Sequence, residues 1–149
     1  MNTQNFSVGE VELSYKRKKF KTEKISTADD AFHVLRSTFS DGQIGFKEFF
    51  KILLLDNAHN VLGWSLIGEG GLSECPADVR LIFQTALLSN ATRIIVCHNH
   101  PSGSLKPSKQ DDNLTSELKQ AGKILRIPVV DHIILSEDRF YSYADEGRI

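Results

Sequence analysis

Apolar residues fall into short runs with two different periods along this chain. The alternation in Val11-Glu12-Leu13-Ser14-Tyr15 predicts a half-exposed strand. The nearly unbroken apolar run from Phe46 to Leu55 predicts a strand covered on both faces, turned by Asp56-Asn57-Ala58-His59-Asn60 into a partner from Val61 to about Leu66. Arg93-Ile94-Ile95-Val96-Cys97 is short and β-branched, so a third buried strand is expected there. Ile127-Pro128-Val129-Val130 leads into another strand, and Glu137-Asp138-Arg139 turns that strand toward Phe140 to Tyr143.

Between these runs the period changes to helical. Ser26-Thr27-Ala28-Asp29 reads as a capping box that opens a helix to about Phe39, with Ala31, Phe32, Leu35 and Phe39 on one side. Pro76 at a first helical position, followed by Val79, Ile82, Phe83, Ala86 and Leu87, predicts a helix to about Asn90. Ser108 and Asp111 form a second capping box, ahead of Leu114, Leu118, Ala121 and Leu125. The order strand, helix, hairpin, helix, strand, helix, hairpin describes an α/β (α+β) fold, a mixed sheet flanked by helices. Residues 1–25 read as a polar N-terminal arm with an edge strand, and residues 26–149 as the folded domain.

A length of 149 residues fits a single domain with its own core. The formal net charge of -1 removes any argument from overall charge for a nucleic-acid or membrane partner. Support for nucleic acid comes down to Lys16-Arg17-Lys18-Lys19-Phe20-Lys21, for which a solvated edge strand or tail guarded by lysines is the commoner explanation. Cys75 and Cys97 lack a Cys-x-x-Cys spacing, so no disulfide framework is indicated, and Cys97 should pack in the core. No apolar run is long enough to span a bilayer, and Met1 to Phe6 lack a signal peptide's apolar core. A cytoplasmic setting is therefore expected.

The chemistry concentrates between His98 and Asp111. If the strand persists to its end, His98 and His100 project from one face about 7 Å apart at Cα. Pro101, Gly103 and Pro107 break the chain, and Ser108 restarts it as a helix whose first turn carries Asp111. Two imidazoles and a carboxylate so placed make a three-ligand set with a position left for water, the arrangement of a catalytic zinc. Read singly, each is ordinary: loop histidines and a helix-capping acid. Asn99 should point away from the histidines and pin the adjoining loop. His132 lies in an apolar strand and reads as a core hydrogen-bonding residue rather than a metal ligand, with a role behind a ligand also conceivable. His33 and His59 have no constellation around them.

The series His98-x-His100, seven residues, Ser108, two residues, Asp111 resembles the signature of the JAMM (MPN-type) zinc metalloproteases. His98-Asn99-His100-Pro101-Ser102-Gly103, the later Pro107-Ser108-x-x-Asp111 and the Phe140 to Gly147 ending are similar to the RadC branch of that superfamily. The likeness covers about residues 46 to 147. It implies a JAMM/MPN fold with a cytidine-deaminase-like three-layer arrangement and one Zn²⁺ per chain, held by His98, His100 and Asp111. It also implies a glutamate on an early strand that acts on the metal-bound water. Glu48 fits that position best; Glu69 and Glu74, in a glycine-rich segment, are weaker candidates, and Glu48 could instead be an ion-paired residue at the start of its strand. Ser108 corresponds to the family serine that hydrogen-bonds the oxyanion, and the implied reaction is hydrolysis of a peptide or isopeptide bond in a peptide or protein substrate. Two other readings remain open, a non-catalytic partner-binding scaffold and the DNA-repair role that the RadC name carries. Longer RadC proteins have an N-terminal helix-hairpin-helix-like segment, whereas only about 45 residues precede the likeness here.

Overall fold

The computed structural model of the chain describes residues 8–19, 21–71 and 77–149. Among these, three helices and five strands follow in the order α1 (Ala28–Arg36), β1 (Phe49–Leu55), β2 (Val61–Glu69), α2 (Val79–Leu88), β3 (Arg93–Asn99), α3 (Lys109–Leu125), β4 (Val129–Leu135) and β5 (Phe140–Ser142). The strands form one mixed sheet in the spatial order β2-β1-β3-β4-β5. Only β3 and β4 are parallel neighbours, and α3 supplies the crossover that such a pair requires.

Every residue of β1 is buried because both faces of the sheet are covered. Beneath the sheet, Phe49, Leu53 and Leu55 pack with Ile95, Cys97, Ile133 and Leu135 against Phe32 and Leu35 of α1. Above it, Phe50, Ile52 and Leu54 pack with Ile94 and Val96 against Ile82, Phe83 and Ala86 of α2 and Leu118 of α3. The result is the expected α+β fold in three layers. Among the described residues, Lys51 is the one lysine or arginine buried in the sheet, on the face of the lower layer. Its Nζ donates to the Thr38 carbonyl at 2.7 Å and lies 3.6 Å from the Phe39 ring centroid, which offsets the burial that lowers its pKa.

Several boundaries differ from the pattern. Residues 11–15 form no strand and Val11 and Leu13 are exposed; the arm meets the sheet later, where Lys24 bridges Asn60 and Val61 N–H donates to the Glu23 carbonyl at 2.8 Å. The first capping box is Thr27 with Asp30, not Ser26 with Asp29, because the Asp30 carboxylate accepts from both the Ser26 and Thr27 N–H groups at 2.9 Å. β1 starts at Phe49 rather than Phe46, since residues 41–46 turn and Phe46 is exposed. β2 runs on to Glu69. Asp78 is the N-cap of α2, so that helix starts at Val79; Pro76, Cys75 and Glu74 lie outside the described residues. None of the described helices is long and apolar enough to cross a membrane.

The return from α3 to β4 depends on one glycine. Arg126 ends the helix in the left-handed region at φ 57°, and Ile127 N–H donates back to the Gly122 carbonyl at 2.9 Å. That brings the Ile127 carbonyl to 2.5 Å from where a Cβ on Gly122 would lie. Gly122→Ala is therefore expected to destabilise the fold by about 1–3 kcal/mol, read as a lowered denaturation midpoint; unchanged stability would contradict this close approach.

Candidate metal centre

β3 delivers His98 at its buried end, and His100 follows one residue beyond it. α3 delivers Asp111 because Ser108 caps the helix: Ser108 Oγ accepts from Asp111 N–H at 3.1 Å, and Asp111 Oδ2 accepts from Ser108 N–H at 2.7 Å. The box that starts the helix thus also orients the carboxylate. Its other oxygen, Oδ1, lies 3.1 Å from His98 Nε2, and Oδ2 lies 3.5 Å from His100 Nε2. The two Nε2 atoms are 2.9 Å apart, and the three side chains form a group able to hold a metal ion.

The placement of the imidazole protons decides what the cluster needs. His100 Nδ1 lies 2.8 Å from the Ser104 carbonyl, which can only accept, so Nδ1 carries the proton and Nε2 of the neutral ring presents a lone pair. With a carboxylate beside it, the cluster gathers acceptors and calls for a positive centre. Donors around a tetrahedral zinc at about 2.0 Å would be about 3.3 Å apart, close to the 2.9 Å between the two Nε2 atoms and the 3.1 Å from His98 Nε2 to Asp111 Oδ1. Without an ion, a proton takes the central place: burial by itself would raise the Asp111 carboxyl, but hydrogen bonds from His100 and His98 in their protonated forms hold it far below the usual carboxylate range. The Asp111 contact raises His100 against the opposing effect of burial.

Glu48 enters from the other side. It is only 7% exposed, and its backbone is fixed by Glu48 N–H to the Gly71 carbonyl at 3.0 Å and by Gly70 N–H to the Glu48 carbonyl at 2.9 Å. β1 and β3 pair antiparallel with Phe50 opposite His98, and Glu48 lies just before β1 as His100 lies just after β3, at the same end of this pair. Its charge adds to the rise of His100. Asn99 holds this arrangement from the opposite face: its amide donates to the Ile44 and Lys47 carbonyls at 2.8 and 2.9 Å, and its oxygen accepts from Phe49 N–H at 2.8 Å. The residue between the two histidines points away from them as expected, but the backbone it pins is that on both sides of Glu48, about fifty positions earlier, rather than the loop adjoining it.

Comparison with known proteins agrees with this geometry. The sequence profile of the RadC-like JAB domain matches residues 25–148. The chain belongs to this family. A UPF0758 protein of Flavobacterium johnsoniae is 39% identical over 127 residues, 85% of this chain and 54% of that protein. A UPF0758 protein of Thermotoga maritima is 41% identical over 103 residues, 69% of this chain and 46% of that protein, and one of Chlorobium chlorochromatii is 37% identical over 135 residues, 91% and 59%. The chain spans about half the length of the curated relatives it matches. As in JAB domains, the His98-His100-Asp111 group could bind a metal.

The remaining candidates of this RadC-like JAB domain are sorted by their contacts. Ser108 is exposed at the mouth of α3, and its cap bond uses a lone pair of the hydroxyl rather than its proton. Glu69 forms an ion pair with Lys47 at 2.6 Å, while Glu74 lies outside the described residues. His33 pairs with Asp29 on the exposed face of α1. Two contacts escaped the sequence pattern: the Phe50 ring stacks on His98 with centroids 6.0 Å apart, and Thr115 bonds to His132 at 2.7 Å. For Thr115 a signal existed, its i+4 position from Asp111 on one helix face.

Proposed function

We propose that this domain is a zinc-dependent hydrolase of the JAMM type, a metallopeptidase that cleaves a peptide or isopeptide bond with an activated water. The observation that carries the reading is the convergence of His98 Nε2, His100 Nε2 and Asp111 within 2.9–3.5 Å, with His100 Nδ1 already spent on a carbonyl. Three protein ligands with an open position are the donor set of a catalytic rather than a structural zinc. A bound zinc would bring a coordinated water to a pKa of about 7 and polarise the scissile carbonyl.

The chain's own residues then divide the work. Glu48, held by its backbone at the same end of the β1–β3 pair as His100, takes the proton of the attacking water and passes it to the leaving amine. Ser108, whose hydroxyl proton is not used in its cap bond, donates to the oxyanion at the N-terminus of α3, where the helix dipole adds positive potential. Phe50, packed flat against His98, keeps water from that side of the imidazole.

Metal analysis of the purified chain together with peptide and isopeptide probes tests this reading. The expected result is about one zinc per chain and hydrolysis that a chelator abolishes and added zinc restores. A folded chain that takes up no zinc, or hydrolysis indifferent to chelation, would refute it.

A further inference from the structure

We propose that His132 and Thr115 are positioning residues that determine which nitrogen of His98 faces the ion. This inference rests on the metal-centre reading above, and its own content is the direction of a chain of hydrogen bonds running back from α3 to β3.

The chain starts at a proton whose place is forced. Thr115 Oγ1 lies 2.6 Å from the Asp111 carbonyl oxygen, one turn earlier on α3. A carbonyl only accepts, so two oxygens this close need a proton between them, and the hydroxyl has a single one to give. Thr115 Oγ1 must therefore accept at its other contact, with His132 Nδ1 at 2.7 Å. That places the His132 proton on Nδ1 and leaves a lone pair on Nε2 of the neutral ring. Nε2 lies 2.9 Å from His98 Nδ1. His98 in turn must donate from Nδ1, which leaves its Nε2, the atom 3.1 Å from Asp111 Oδ1, as a lone pair.

Both ring nitrogens of His132 are thus committed, and its ring face stacks on Tyr143 with centroids 4.9 Å apart and planes 8° apart. It is fully buried, so no water competes for either contact. Asp111 stands at both ends of this path: its carboxylate faces His98, and its carbonyl sets the hydroxyl that sets His132. His100 reaches the same tautomer by a separate local device, the Ser104 carbonyl. Without the path His98 would divide between two tautomers, one of which aims an N–H at the ion.

Zinc affinity by chelator competition and ¹⁵N NMR of the histidines in the metal-free chain at alkaline pH test the inference. His98 is expected as the Nδ1–H tautomer in the wild type. His132→Phe, which keeps the stacked ring and removes both bonds, is expected to lose that preference and weaken zinc binding about 10- to 100-fold. His132→Gln, whose amide can accept from His98 and donate to Thr115, should recover most of it. Should His132→Phe fail to fold, the Thr115 pair decides: Thr115→Val weakens binding and Thr115→Ser does not. A folded wild type with His98 in the Nε2–H form, or Thr115→Val with wild-type affinity and tautomer, overturns the inference while leaving the metal centre intact. A folded wild type that binds no zinc overturns the metal-centre reading and this inference together.

Discussion

Asp111→Asn is expected to empty the metal centre while leaving α3 capped. The two roles of Asp111 are carried by different properties of one side chain. Capping needs an acceptor 2.7 Å from Ser108 N–H, which an amide oxygen supplies. Metal binding needs the negative charge beside His98 and His100, which it does not. Removing the only anion from the three-ligand set should cost more affinity than the roughly 100-fold typical of an outer-shell partner, because the ligand itself is lost. Stability of the metal-free chain should stay within about 1 kcal/mol of wild type, the scale of one first-turn charge. Asp111→Ala removes the acceptor as well and should unfold more readily by about another 1 kcal/mol. Zinc content after dialysis and denaturant titration of the metal-free proteins measure both effects. Wild-type zinc content in Asp111→Asn would show that the ion is held elsewhere.

Glu48→Gln is expected to remove turnover and keep the metal. Glu48 is absent from the ligand group and acts on it through charge, so an isosteric neutral side chain should leave about one zinc per chain. A general base of this kind contributes about 10²–10⁴-fold to rate, and zinc-dependent hydrolysis should fall by that factor. The pairing of lost rate with retained zinc separates a proton-transfer role from a ligand role. Retained activity would exclude Glu48 as the base, and lost zinc would make it a ligand. The buried setting of Glu48 and its backbone bonds to residues 70 and 71 make a purely solvated ion pair at the strand start the weaker account of it.

The group that could bind a metal was legible in the sequence because its parts are local. The spacing of His98 and His100 is a strand property, and Ser108 with Asp111 is a helix-start property; both follow from backbone periods of a few residues. The three layers were legible too, since the continuous apolar run of β1 demands cover on both faces. Boundaries were less so. Thr27 rather than Ser26 took the cap because Asp30 reaches both N–H groups, and residues 11–15 alternate as a strand would but form none.

By itself, the sequence determined which residues can bind a metal and the elements that carry them. Only the tertiary structure decided what surrounds them. Glu48 comes to the same end of the sheet as His100 through the antiparallel β1–β3 pairing, Asn99 reaches back across the sheet to hold the loop before β1, and His132 comes behind His98 through the parallel β3–β4 pairing. Strand pairing brings together residues 34 to 55 positions apart, and which pairs meet depends on how the whole core packs rather than on any short spacing.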